Sequence, residues 1–376
     1  GQTHRQAVNY DQAITDFTAA LNIDPTLAWA LGSRGQAHMQ AGRHDQAITD
    51  FTAELNLDPT NTLTLVQRGQ AHMQAGRHDQ AITDFTAALN IDPTDAWVLG
   101  IRGQAHRQAG RHDQAITDFT AALNIDPTLA WALAQRGQTH LGAGLQDQAI
   151  TDFTAALNLD PTNTLTLAQR GQAHQQAGHY DQAITDLTAA LNLDPTNTLV
   201  ALVLGMRGEA HRQAGHYDQA ITDLTAALNI DPTNTRTFAQ RGQTHREAGH
   251  YEQAREDLER ALEADPGQLG YAFEKVMLDT VESGFGSCVE QWSQLLASPV
   301  STPEGDATRF FDLFKVLLLE PEPNVAEATD VFLAGGPDHD AVTDLLHYLA
   351  ELSTAGDEPA SRARLCRQLI AERAAA

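Results

Sequence analysis

Three residue series recur through the first 268 residues in places where they could do chemistry. Arginine stands at Arg34, Arg68, Arg102, Arg136, Arg170, Arg207 and Arg241, and aspartate at Asp50, Asp84, Asp118, Asp152, Asp186, Asp223 and Asp257. Histidine stands at His38, His72, His106, His140, His174, His211 and His245, with a second set at His44, His78 and His112. Arginines in a row could bind an anionic ligand, imidazoles a metal ion, and paired carboxylates could do acid–base work. The motifs that organise catalysis are missing: there is no nucleophile elbow, phosphate-cradling glycine loop or HExxH helix. The sequence therefore predicts no catalytic residue, and no enzyme. What the series do is set by the elements that carry them.

Those elements repeat. Prolines fall at Pro25, Pro59, Pro93, Pro127, Pro161 and Pro195, each 34 residues after the last, then at Pro232 and Pro266. Glycines run in phase at Gly1, Gly35, Gly69, Gly103, Gly137, Gly171, Gly208 and Gly242. One step in each series is 37, so about three residues are inserted near Thr198–Gly205. Nearly one extra helical turn there should lengthen a helix and change the local twist. Each unit reads as two helices. The first, for example 62–74, carries Leu65, Gly69, Ala71 and His72 at helical spacing and ends at Ala75-Gly76. The second, with Asp79 as its expected N-cap, puts Ala81, Ile82, Phe85, Ala88 and Leu89 on one apolar stripe and stops before Pro93. Two such helices cannot bury enough surface alone, whereas stacked copies can.

The unit resembles the tetratricopeptide repeat, in the bacterial variety with Arg-Gly in its first helix. Gly69, Ala81, Phe85, Ala88 and Pro93 match the family's eighth, twentieth, twenty-fourth, twenty-seventh and thirty-second positions. The resemblance covers residues 1–268 as eight tandem units, the first truncated. It implies an all-α, right-handed superhelical solenoid of helix-turn-helix repeats, with the first helices lining a concave groove. Three departures stand out. Histidine occupies position eleven, where the family usually has tyrosine. Leu187, Leu224 and Leu258 replace phenylalanine, and Glu54 occupies a place that is alanine in the other repeats. A carboxylate there should cost stability unless it reaches solvent or a partner.

Repetition decides between the readings of the charged series. The family buries the arginine position, and a buried charge needs a partner, so the sequence predicts an Arg–Asp pair joining the two helices of each unit. Equivalent histidines of stacked units lie ~10 Å apart, while Zn–N bonds are about 2 Å. No metal site and no cofactor is expected. The second histidine series alternates with Tyr10, Tyr180, Tyr217 and Tyr251, as a packing ring would. Protonation near pH 6 would loosen the packing.

The groove positions that the resemblance implies carry Trp29, Trp97 and Trp131. Beside them runs a glutamine column at Gln36, Gln70, Gln104, Gln138, Gln172 and Gln243, interrupted by Glu209. Position twelve adds Met39, Met73, Arg107, Arg212 and Arg246. Primary amides satisfy the backbone of an extended peptide, while tryptophan and methionine supply apolar area. A protein or peptide partner is the expectation. The Lys and Asn set of the family's chaperone-binding clamp is missing. The competing reading is a spacer or self-assembling rod whose glutamines are copied by duplication: residues 11–31 and 113–133 are one identical string.

With 24 Lys+Arg against 49 Asp+Glu, the formal net charge of −25 opposes nucleic acids and anionic membranes. Two cysteines, Cys288 and Cys366, and no signal peptide point to the cytoplasm. Arginine outnumbers lysine 22 to two, a bacterial bias. The chain opens on a mid-helix glycine, from which an upstream effector domain is expected. The whole is read as the sensor or recruiting arm of a bacterial signalling or defence protein. Residues 269–376 are expected to form a divergent helical cap or docking region. Helices are expected there at 269–283, 287–297 (opened by a Ser287…Glu290 capping box), 303–320, 324–334, 339–353 and 359–374. Phe310, Phe311, Phe314, Val316, Leu317 and Leu318 mark a buried one.

Overall fold

The computed structural model describes residues 2–194, 199–283 and 285–297, and beyond them 313–315, 317–318, 325–334, 345, 348–349 and 358–374. Every element among the described residues is helical. Two compact units divide the chain at Thr162/Asn163. The first holds α1 (Gln2–Ile23), α2 (Ala28–Gln40), α3 (His44–Leu57), α4 (Thr62–Gln74), α5 (His78–Ile91), α6 (Ala96–Gln108), α7 (His112–Ile125), α8 (Ala130–Gly142) and α9 (Gln146–Leu159). The second holds α10 (Thr164–Gln176), α11 (Tyr180–Leu193), α12 (Val200–Gln213), α13 (Tyr217–Ile230), α14 (Thr235–Glu247), α15 (Tyr251–Ala264), α16 (Leu269–Ser283), α17 (Phe285–Ala297), α18 (Val325–Ala334) and α19 (Glu358–Ala374). From α2 to α15, even numbers are the first (A) helices of a repeat and odd numbers the second (B). Each A helix packs on its own B helix.

A glycine turns the chain between A and B. Gly76 has φ +72°, its N–H donates to Met73 O, and the Arg77 N–H donates back to His72 O. This is a left-handed C-terminal cap, which costs an L side chain about 1–2 kcal/mol. Gly76→Ala should therefore lower stability by that amount in urea unfolding. The first repeat shows the alternative within the chain itself. Val8 stands 34 residues before Gly42, and there α1 is one continuous helix where two were expected.

Glycine also sets the A–B distance. A Cβ on Gly69 would stand 2.5 Å from the fully buried Phe85 ring. In the second unit Leu187, Leu224 and Leu258 fill the same role against Gly171, Gly208 and Gly242. The predicted Arg–Asp pairs form bidentate bonds: Arg68 gives Nε to Asp84 Oδ2 at 2.9 Å and Nη2 to Oδ1 at 2.6 Å. Its Nη1 reaches further, to Thr52 Oγ1 on the preceding B helix at 3.2 Å. Arg34, Arg102 and Arg136 in the first unit, and Arg207 and Arg241 in the second, do the same with Thr18, Thr86, Thr120, Thr188 and Thr225. One guanidinium thus ties a repeat to its neighbour as well as to itself.

Two local expectations are corrected, and the condition set on Glu54 is met by a partner. Asp79 is not the N-cap of α5, which is Arg77. It lies in the first turn, where its carboxylate takes Arg111 at 2.7 Å. Ser287 caps nothing: α17 already begins at Phe285, and the Ser287 hydroxyl donates to Ser283 O. Glu54 does not reach solvent and, among the described residues, pairs with no cation, but it finds a partner in Thr64. It is buried in space left by Gly32, where a Cβ would come within 2.5 Å of its Oε2. Burial raises its pKa, partly offset by a hydrogen bond with Thr64.

At the insertion, residues 195–198 lie outside the described set, and α12 is one residue longer than α10. Beyond the repeats, α16 packs on α15 and α14, and α17 on α16. Phe273, Met277, Trp292, Phe314, Leu317, Phe332 and Leu345 form a buried cluster there, with α18 and α19 near the expected 324–334 and 359–374. Of the expected helices at 303–320 and 339–353, most residues lie outside the described set, including Phe310, Phe311 and Val316. Leu313, Phe314, Leu317, Leu318, Leu345, Tyr348 and Leu349 are described and buried.

Candidate protein-binding face

Positions two, six, nine and thirteen of an A helix are spaced i, i+4, i+7 and i+11, and so share one face. In α4 that face carries Leu63, Gln67, Gln70 and Gln74, and in α6 Trp97, Ile101, Gln104 and Gln108. Position two is an exposed apolar column. In the first unit Trp29 is 60%, Leu63 66% and Trp97 44% exposed, while in the second Leu165 and Leu202 are 53% and 60%. Trp29 lies edge-on to Phe17 at 6.2 Å. Trp131 is half-buried instead, its ring over Gly100 of α6, where a Cβ would come within 2.3 Å.

Charge is sorted between the two helix sets. The A helices α2, α4, α6 and α8 contain no acidic residue, whereas α3, α5, α7 and α9 each hold two or more. The A face of the first unit is therefore free of the acid that dominates the chain.

The other expected site residues fall into three groups. Gln36 and Gln172 are exposed, and Gln70, Gln104, Gln138 and Gln243 half-buried, with Gln243 donating to Glu247 at 3.1 Å. Met39 and Met73 pack at the edge of core clusters. The three arginines separate sharply. Arg107 is half-buried with its Nε shielded from solvent, and among the described residues its side chain has no ion pair or hydrogen bond. Arg212 and Arg246, expected to face a ligand, are 2% and 1% exposed and already engaged. Arg212 bonds Glu209 at 2.6 Å and Glu247 at 2.7 Å, and Arg246 bonds Glu274 at 3.1 Å. Three glutamates near one level of the second unit draw both arginines inward. The signal was present in Glu209, which breaks the glutamine column three residues before Arg212. Leu63, Leu165 and Leu202 were missed because leucine reads as core, although they lie in register with Trp29 and Trp97.

The position-eleven histidines sit beside the Arg–Asp pairs. His72 Nε2 is 3.9 Å from Asp84 Oδ2, and its ring is only 12% exposed. Burial lowers the pKa of all seven, against the pull of the aspartate and with the push of the arginine. Among the described residues no three His, Cys, Asp or Glu side chains gather as a metal site, and no helix is long and apolar enough to cross a membrane.

Tandem helical hairpins, each A helix packed on its own B helix, define an α-solenoid repeat protein. Sequence profiles of the tetratricopeptide repeat match residues 1–62, 61–128, 132–163, 163–233 and 211–272, and the chain belongs to that family. A comparison with curated proteins gives no match. Among solved structures, the chain is similar to a tetratricopeptide repeat protein from Parabacteroides merdae at 16% identity. That match has a TM-score of 0.53 and covers 64% of this chain and 94% of the other. The C-terminal part of a repeat protein from Cytophaga hutchinsonii matches at 18% identity and TM-score 0.53, covering 63% and 96%. The hetero-tetramer Cut9–Hcn1 matches at 18% identity and TM-score 0.51, covering 70% and 52%. At these identities the likeness is one of fold.

Proposed function

We propose that the A face binds an extended segment of a protein partner, and that the chain serves as a recruiting arm. Proteins of this family are in general interaction scaffolds without catalytic activity. The observation that carries the reading is the exposed column of Trp29, Leu63 and Trp97 on helices that contain no acid. A spacer has no use for exposed tryptophan, whereas contiguous exposed apolar surface marks interaction sites, and tryptophan is the residue most enriched at binding hot spots.

The test is selection of random nine-residue displayed peptides on the full chain, followed by affinity measurement. Trp97→Ala should weaken selected peptides that dock on the first unit by about thirty-fold, the loss of a 2 kcal/mol hot spot. Arg107→Glu should also weaken them, with the melting temperature measured alongside to separate lost binding from lost folding. A chain that selects no peptide, and tolerates deletion of one 34-residue repeat in its cell, would be a spacer.

A further inference from the structure

In the second unit the A face closes around a cavity of about 330 Å³ between α10, α12 and α14. Gly205 and Met206 of α12 line it, with the exposed Leu202 beside them, and its lining includes Gln172 and Gln176 of α10 and Gln240 of α14. Gly205 needs explaining, because glycine is the least favourable residue after proline in a helix interior. Two other repeats have glycine at this place, and there packing accounts for it. Glu54 fills the space beside Gly32, and the Trp131 ring that beside Gly100. A Cβ on Gly205 would meet nothing within 4 Å. The place that Glu54 and Trp131 fill in other repeats is left open to the cavity here.

The walls and mouth say what fits. Among the described residues, the side-chain amides of Gln172, Gln176 and Gln240 have no protein partner, so each can still donate and accept. Glu209 also lines the cavity, but Arg212 already holds its carboxylate. The uncompensated charge is Arg236 of α14. It is exposed, without an ion pair or hydrogen bond among the described residues, and stands where earlier repeats have Trp or Leu. The site therefore offers an apolar lining with an adaptable methionine, backbone-satisfying amides, and one free cation on the next helix.

Packed helices lie about 8–10 Å apart. In an extended chain residues i and i+2 point the same way, about 6.8 Å apart, and an acidic side chain spans the remainder. The carboxylate of residue i+1 would point away. We infer that this cavity takes one large apolar side chain of an extended partner segment, with Arg236 holding an acidic side chain two residues along. The inference rests on the reading that the A face binds a protein partner.

The same displayed-peptide selection tests it, using fluorescein-labelled copies of the selected peptides and the full chain. An apolar-x-acidic pattern should emerge. Gly205→Leu should fill the open place and weaken those peptides at least tenfold while the melting temperature holds or rises, which separates lost binding from lost folding. Arg236→Glu should weaken them about tenfold, and a peptide whose acidic residue is replaced by lysine should recover the loss. Peptides selected without the pattern, and bound equally by wild type and Gly205→Leu but lost with Trp97→Ala, would overturn this inference alone. No selected peptide at all would overturn the partner-binding reading together with it.

Discussion

Arg246→Ala is expected to destabilise the second unit by about 3–5 kcal/mol, the cost of breaking a buried pair from one side. Arg246 is 1% exposed on α14, and its guanidinium lies 5.2 Å from the centroid of the Tyr348 ring. Its Nε and Nη2 both stand 3.1 Å from Glu274 Oε2 on α16, and the Tyr348 hydroxyl donates to the other carboxylate oxygen. Glu247, taken by Arg212 at 2.7 Å, completes the network. Alanine at 246 leaves the Glu274 carboxylate buried with only a phenol to answer it among the described residues. The two partners together matter less than either alone, because replacing both by apolar residues removes the desolvation cost as well as the attraction. Arg246→Met with Glu274→Met should therefore recover much of the loss, short of the bond owed to Tyr348. Urea unfolding read by fluorescence of the buried Trp292, with Trp29, Trp97 and Trp131 replaced by phenylalanine, reports it in the cluster that includes Tyr348. A loss below about 1 kcal/mol for Arg246→Ala would mean that solvent reaches the network.

The same network shows where the sequence stops being readable. The repeat is legible because glycine, phenylalanine and proline recur at fixed spacing, and each has one physical job: Gly76 turns, Gly69 admits Phe85, and Pro93 ends a helix. The Arg–Asp pairs are legible for the same reason. Their third contact, Arg68 to Thr52, is not, because it needs the placement of a neighbouring repeat. Burial of Arg212 and Arg246 depends on carboxylates 3, 35 and 28 residues away. The cavity is hidden more deeply. Gly32, Gly100 and Gly205 are equivalent letters, and only the side chains of Glu54 and Trp131, arriving from other helices, distinguish a filled place from an open one.

Acid should unfold the repeats in a window set by the position-eleven histidines, above the pH at which surface aspartates titrate. Each of the seven rings is held below the ordinary 6.5 by burial, the largest cause, with the nearby arginine adding to it and the aspartate opposing. A neighbouring ring, His179, His216 or His250, pushes the last three down as well. The sign follows from which state binds the proton first. As pH falls through 6.5 the unfolded chain protonates while the folded rings stay neutral, so stability is complete above 6.5 and lost below it. The loss stops once the folded rings also protonate. Each site contributes at most about 1.4 kcal/mol per pH unit in that window, less where solvent screens it. Seven sites act in one direction, so even a fraction of that slope from each gives a steep fall in melting temperature. Glu54 opposes them: its raised pKa makes the folded state the first to bind its proton, so its contribution grows as pH falls. It is one group against seven. The turn aspartates Asp24, Asp92, Asp126 and Asp231 are lowered from 3.8 by their threonine hydrogen bonds, and lose their effect only in more acid solution. Thermal melts from pH 7.5 to 4.5 should show the fall beginning near 6.5. Replacing one, three and then all seven histidines by tyrosine should flatten it in proportion, since tyrosine does not titrate in this range. A slope unchanged by the full replacement would assign acid sensitivity to other groups and leave the histidines as packing rings alone.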